Sequence, residues 1–461
     1  MTGAQIGPVT RRALLRGAAG GAALAATAGL PAWARPPRST HRVPSLRRPD
    51  SRPFPHLPAG HASLPEIEHV IVLMMENHSF DNLLGMAAYQ VPGRRGLDGL
   101  RQRRGRLIDV NRDAAGHPVH AARAASPCQL PAVPSQSWNA SHTSWNHGRM
   151  DGFVRASGPM AMRYWDEHDL PFTYSLVRHY PIGQRYFCSV MAQTFPNRRF
   201  FFAGSASGTV DDKTDAIVTP PPNGTIWDRL DAHHIDWAVY YENTPSFVIV
   251  PTSNTPARAP RLRTMDAFFT AAKSGALPAF SFLEPNYETT SEENPQDIQV
   301  GERFVAAVVN AVTHSPQWKR TALFITWDEH GGYYDHVPPP RAIPPDDARP
   351  IRSPGAAPLA PGGFDRYGFR VPLIVVSPWA RRNYVSNVVQ DHTSLAAFLQ
   401  YKWNLPAMTF RDANAAPMTD YFDFSRPGFA HPPRLAAAPG LGAGLAACHA
   451  QGLNPPLPPP L

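Results

Sequence analysis

Two short polar clusters in this chain carry residue types that could bind a cation and do chemistry. Glu76 and Asn77 follow the apolar run 67–75, and Asp328 and Glu329 follow the apolar run 321–327, ahead of Gly331-Gly332. Acids delivered to the ends of two buried strands pile up negative charge, and a cation bound between them relieves it. A hydroxyl completes the set. Thr194 precedes Phe195-Pro196-Asn197, where proline fixes the first turn of a helix and Thr194 stands at its positive amino end. Thr194 reads either as a nucleophile toward phosphorus or as an N-cap, and the two acid clusters favour the nucleophile.

Three histidines have open readings. His142 lies in HTSWNHGRMDGF, an aromatic and polar stretch without helical or strand period, which predicts a long loop walling a pocket. It either faces the site or packs in the loop. His336 follows Asp335 after the second acid cluster, and His392 follows Asp391, a predicted helix cap. Each either points at the site or is a structural neighbour of a turn or cap.

The elements that must position these groups read as a doubly wound α/β sheet. Apolar strands are predicted at 67–75, 236–241, 278–283, 321–327 and 373–376, with helical signals at 226–233, 263–274, 302–312 and from Asp391 through Trp403. Residues 172–191 read as mostly helical. The run 94–106 is a basic surface loop or hairpin whose charges are read as solvated, and the Pro-rich stretch up to Gly363 is a surface loop.

Of the net charge of +8, all sits in residues 1–60, which hold nine arginines and one acid, leaving 35 basic and 35 acidic residues in the remainder. A nucleic-acid partner therefore has little support. Residues 1–34 read as a twin-arginine export signal, with Arg11-Arg12 ahead of an Ala/Gly-rich apolar stretch and Ala32-Trp33-Ala34 at its end. Residues 35–64 read as a Pro/Arg-rich tether, 65–426 as the catalytic domain and 427–461 as a Pro/Gly/Ala-rich tail. Three cysteines, Cys128, Cys188 and Cys448, allow one intramolecular disulfide at most. Cys188, in an apolar context, reads as an inert buried thiol.

The motifs MMENHSFDNLLG, WNHGRMDGF, TFPNRRFFFAG, WDEHGGYYDHVPPP, GFRVPLIVVSP and DHTS occur in this order. Together they make the chain resemble a bacterial phosphoesterase family that contains phosphatidylcholine-cleaving phospholipases C, plant non-specific phospholipases C and related acid phosphatases, over most of the span from Pro65 to Trp403. The resemblance implies an alkaline-phosphatase-like three-layer α/β/α sandwich around a mostly parallel sheet. It implies one divalent ion surrounded by Glu76, Asn77, Thr194, Asp328 and Glu329. Oxygen-only donors suit calcium, magnesium or manganese, with zinc as a further option.

In the implied reaction Thr194 attacks phosphorus, a phosphothreonine intermediate forms, and water releases the product. His336 and His392 are candidates for protonating the leaving oxygen or holding phosphate oxygens, and Gln136, His142, Asn197 and Asn294 for substrate contacts. Relatives carry histidine at the positions of Gln136 and Asn294, and an amide donates a hydrogen bond without serving as a general acid. The expected function is an exported metal-dependent phospholipase C acting on glycerophospholipids, with transient contact to a membrane surface. The rivals are an acid phosphatase acting on small phosphate monoesters and a non-catalytic secreted binding protein.

Overall fold

The computed structural model describes residues 45–130, 132–213 and 219–452. The expected export signal lies outside them. The chain divides into the units Met1–Leu46 and Arg47–Leu461, and the second holds the fold.

Its centre is an eight-stranded sheet. The strands are β1 (His69–Met75), β2 (Ile182–Gly183), β3 (Trp237–Tyr241), β4 (Leu262–Thr264), β5 (Phe280–Glu284), β6 (Thr321–Trp327), β7 (Leu373–Val376) and β8 (Val385–Ser386), in the spatial order β4-β3-β5-β1-β6-β7-β2-β8. β1 pairs in parallel with β5 on one side and β6 on the other, while β7 runs antiparallel to both β6 and β2. β6 is buried along its whole length, as expected of a strand covered on both faces. The register ends with Met75 opposite Trp327, so Glu76 and Asp328 emerge side by side.

The short helix α1 (Phe80–Leu84) follows β1, and longer helices cover both faces. On one, α4 (Thr194–Ala203) packs with α5 (Ile226–Ala232) and α8 (His392–Trp403). Phe201 and Phe202 of α4 lie against Phe280 and Phe282 of β5, and Phe398 of α8 lies against Phe324 of β6. On the other, α7 (Ile298–Thr313) packs with α3 (Pro171–His179) and α6 (Met265–Ser274). The three-layer α/β/α sandwich with a mostly parallel sheet is thus the observed architecture.

Four local expectations change. The 142–153 stretch is not a simple loop: α2 (Trp138–Trp145) begins at Ser137, whose side chain accepts from Ala140 N. A half-buried helix with a polar face gives little apolar period to read. Residues 172–191 are helical only within α3, because Pro181 follows and pushes Tyr180 into extended backbone.

The second half of the expected tether belongs to the fold. Asn404 accepts from Phe54 N at 2.9 Å and donates to the carbonyls of Phe54, Leu57 and Pro58 at 2.9 to 3.0 Å. The carbonyls of a proline-rich segment are satisfied by a side chain 350 residues away, which composition does not reveal. The tail is also packed: Phe429 is buried against Tyr180, and Cys448, in the helix Ala443–Ala450, is disulfide-bonded to Cys128. Cys188 is the free, buried thiol, and burial raises its pKa well above the ordinary thiol value.

Candidate active site

The carboxyl ends of β1, β5 and β6 place Glu76, Glu284 and Asp328 around one point. The turn after Asp328-Glu329 is held close by Gly331, which has φ +63° and whose position would put a β-carbon 2.0 Å from the Asn77 carbonyl oxygen. Only glycine permits that approach and that backbone. Gly331 N in turn donates to Glu329 Oε2 at 2.9 Å, fixing the second acid.

Thr194 is the first residue of α4, and the cap is Gln193, which makes no side-chain capping bond. The Thr194 hydroxyl is therefore free of the N-cap role. Its Oγ1 lies 3.3 Å from Asn77 Oδ1. The neighbouring N–H of Phe195 donates to Asp212 Oδ1 at 2.7 Å, so an acid already sits at the positive end of the helix. Thr194, Glu76, Phe195, Asp212, Tyr287 and Glu293 open onto a pocket of about 290 Å³.

The charge here is unbalanced. Arg198, one turn beyond Thr194, is fully buried and donates to Asp328 Oδ2 at 2.9 Å, Glu284 Oε1 at 3.0 Å and Glu76 Oε1 at 3.3 Å. One guanidinium faces three acids, with Glu329, Glu293 and Asp212 beyond them. Burial, then Glu293 and Asp328, pushes Glu76 well up, and burial with Asp328 does the same to Glu329. Burial, reinforced by Asp328, raises Glu293 to about 7, and burial raises Asp212 to about 7. Such acids need more positive charge than the chain supplies.

The donor geometry fits a divalent ion. The Asn77 amide atom facing the acids stands 2.7 Å from Asp328 Oδ1, 3.1 Å from Glu329 Oε1 and 3.3 Å from Thr194 Oγ1. Oxygens bound to one ion at roughly 2.0 to 2.6 Å lie about 3 Å from one another. With the amide turned over, Nδ2 donates to both acids and Oδ1 accepts from Gln136 Nε2 at 3.2 Å. The oxygen-inward orientation is the one a cation requires, and the nitrogen-inward one satisfies the acids without it.

A second acidic group, Asp81, Asp335 and His336, is close enough to share an ion, but its charges are already paired. Arg370 donates to Asp81 Oδ1 at 3.0 Å and Asp335 Oδ1 at 2.9 Å, and the two His336 nitrogens face Asp81 Oδ2 at 2.6 Å and Asp98 Oδ1 at 2.9 Å. Burial opposes protonation of His336, yet Asp81 outweighs it and holds the imidazole at about 9. An imidazolium offers a metal no lone pair.

The expected site residues therefore separate. Glu76, Asn77, Thr194, Asp328, Glu329 and Gln136 come together. His336 is withdrawn into the paired cluster. His392 Nε2 donates to the Asp328 carbonyl at 2.6 Å and its Nδ1 accepts from Tyr186 at 2.9 Å, so it is a brace behind Asp328, held neutral by burial at about 4. His142 donates to the Trp138 carbonyl at 2.8 Å, and its ring lies tilted against the Trp138 ring with centroids 4.3 Å apart.

Asn197 spends its amide on Val190 N and on the carbonyls of Ala192 and Gln193. Asn294 is buried and donates to the Gly331 carbonyl at 3.0 Å. These two amides brace the turns that lead to the site. Sequence reasoning missed Arg198, Glu293, Asp212 and Glu284. Arg198 had a signal, one helical turn after Thr194 on the same face; Asp212 had none.

A model of the Phosphoesterase family matches residues 67–406. The non-specific phospholipase C1 of Arabidopsis thaliana is 30% identical over 394 residues, covering 77% of this chain and 71% of the plant protein. The non-hemolytic phospholipase C of Pseudomonas aeruginosa is 27% identical over 412 residues, and the match spans 80% of this chain but 58% of that protein. Phospholipase C A of Mycobacterium tuberculosis is 27% identical over 430 residues, 81% of either chain. Among solved structures, a Vibrio parahaemolyticus protein of the alkaline phosphatase superfamily aligns over 77% of this chain and 70% of its own, at 9% identity and a TM-score of 0.36.

Proposed function

The chain belongs to the Phosphoesterase family and is a hydrolase of phosphoric esters, and from that premise we propose that it is an exported, metal-dependent phospholipase C acting through a phosphothreonine intermediate. The observation that carries this reading is the Thr194 hydroxyl at the amino end of α4, uncapped and beside Asn77, opening onto a pocket ringed by acids.

Glu76, Asn77, Thr194, Asp328 and Glu329 would hold one divalent ion. When bound, it supplies the positive charge that the acids lack and stabilises negative charge on the Thr194 oxygen and on the phosphoryl group. A lining carboxylate takes the hydroxyl proton as Thr194 Oγ1 attacks phosphorus, the bond to the diacylglycerol oxygen breaks, and the proton is returned to that leaving oxygen. Water next attacks the phosphothreonine, breaks the Oγ–P bond and releases the phosphorylated head group. His392 and Asn294 hold the Asp328 main chain and the glycine turn in place while this happens.

The pocket favours a diester over a monoester. A monoester dianion needs cations around it, whereas the lining includes Glu76, Asp212 and Glu293, and Arg198 is turned toward carboxylates. A diester carries one negative charge, and a cationic head group is compatible with acids and the Phe195 and Tyr287 rings. Export is supported by Arg11-Arg12 at the start of the chain and by the Cys128–Cys448 disulfide, a bond that persists in oxidising compartments. The destination is the periplasm, the envelope or the medium.

Phosphorus NMR of metal-loaded protein with phosphatidylcholine tests the reading. Phosphocholine is expected from the wild type, and Thr194→Ala should lower its rate by about three orders of magnitude or more. Inorganic phosphate from a simple monoester with the lipid untouched would make the protein a phosphatase. Near-normal turnover by Thr194→Ala would remove the nucleophile assignment.

A further inference from the structure

The basic run that charge patterning leaves as solvent-facing folds into a built feature. Gln102–Arg103 and Arg106–Leu107 pair as an antiparallel hairpin. Arg104 and Gly105 form its turn with φ of 51° and 77°, the two successive left-handed residues of a tight type I′ hairpin. Arg103, Arg104 and Arg106 are thereby held together at one exposed tip.

Their charge is uncompensated. Residues 89–112 contain seven arginines and two aspartates, and both aspartates are engaged below the tip. Asp109 is buried against Arg101 at 2.6 Å, and Asp98 is taken by Arg185 at 2.6 Å and His336 at 2.9 Å. Among the described residues, no carboxylate lies within ion-pair distance of Arg103, Arg104 or Arg106. The body from residue 61 onward is neutral only with this patch included, and outside 89–112 it holds 28 basic residues against 33 acidic ones.

Apolar side chains surround the same hairpin. Tyr89, whose hydroxyl accepts from Gln102 N at 3.1 Å, is 50% exposed, Ile108 is 45% exposed and Val110 is 39% exposed. Arginines interleaved with exposed apolar groups match an interface that is anionic and then oily, whereas a soluble polyanion uses only the charge. The base of the hairpin is also tied to the body. Asn111 joins it to the Met150 carbonyl and Phe153 N, and Tyr334, five residues past Glu329, donates to Asp109 at 3.1 Å.

We propose that the 101–108 hairpin with Tyr89, Ile108 and Val110 is a docking surface for anionic phospholipid bilayers. The proposal deepens the lipid reading of the substrate and rests on it for its purpose, while its test does not depend on turnover. The full-length protein is sedimented with vesicles of phosphatidylcholine alone and of phosphatidylcholine with phosphatidylglycerol, at low and high salt. The wild type should prefer the anionic vesicles, and R103E/R106E should weaken that binding by more than about thirty-fold, with unchanged hydrolysis of a water-soluble chromogenic phosphodiester.

Tyr89→Ser/Ile108→Ser should lose vesicle binding at high salt and keep binding to heparin. Equal binding to both vesicle types, or no loss in R103E/R106E, would overturn the proposal. So would a Tyr89→Ser/Ile108→Ser variant that binds vesicles like the wild type, since that is the behaviour of a polyanion surface. Vesicle binding without lipid hydrolysis would instead remove the phospholipase reading and leave the docking surface standing.

Discussion

Arg198 and His336 show how much of this site is decided by single buried charges. Arg198 bonds three acids at once and still leaves Glu329 and Glu293 uncompensated, which is the condition for binding a cation. His336 does the opposite in its own cluster, where Arg370, Arg185 and the imidazolium together match Asp81, Asp98 and Asp335. That cluster joins the turn after β1 to the turn after β6, so its protonation holds the two acid-bearing turns relative to each other. The pKa of His336 is raised from about 6.5 to about 9 on folding. The stability it contributes is therefore complete below about pH 6.5 and is lost as pH rises through about 9. H336Q should melt well below the wild type at pH 6.5, and the gap should close progressively toward pH 9 and above. Thermal melts across that range check it, and a gap of constant size would mean that the positive charge is not what the network uses.

At the scale of elements, what could be read in advance followed burial. The apolar run 321–327 coincides with β6 end to end, and 373–376 with β7, because strands covered on both faces carry no charged residues to blur their limits. The carboxylates after β1 and β6 were legible for the same reason, as polar residues stopping an apolar run. α2 was not, since its exposed face is polar, and Arg198 was only half legible: its spacing from Thr194 puts both on one helix face, but nothing local says that an arginine turns inward. The docked 47–64 segment was invisible because its partner is remote. Asn404, in the left-handed conformation just past α8, holds that segment with four hydrogen bonds. At about 0.5 to 1.5 kcal/mol net for each bond, N404A should cost on the order of 2 to 6 kcal/mol. Limited proteolysis should also open 47–64 faster than any other segment. A variant with wild-type denaturation and an intact 47–64 segment would show that Phe54 packing on Tyr401 suffices.

The molecule as a whole is closed by one covalent link. Cys128 lies before the loop that brings Gln136 to Asn77, and Cys448 lies in the last described helix, 320 residues later. A cross-link over so long a loop removes much of the freedom of the unfolded chain. Loop-closure entropy alone gives about 5 to 6 kcal/mol, and measured values for native disulfides run at about 2 to 4 kcal/mol. Neither cysteine lines the pocket, so the link stabilises the fold and secures the C-terminal segment over it without entering the chemistry. Urea unfolding of the oxidised wild type, with and without a thiol reductant, and of C128S/C448S measures its weight. The reduced wild type and the double variant should unfold at the same, lower midpoint, equivalent to about 2 to 4 kcal/mol, while hydrolysis of a soluble phosphodiester stays at the wild-type rate. A midpoint indifferent to the reductant would mean that packing of the tail around Phe429 holds the C-terminus unaided. It would also leave the paired arginines as the main sequence support for export to an oxidising compartment.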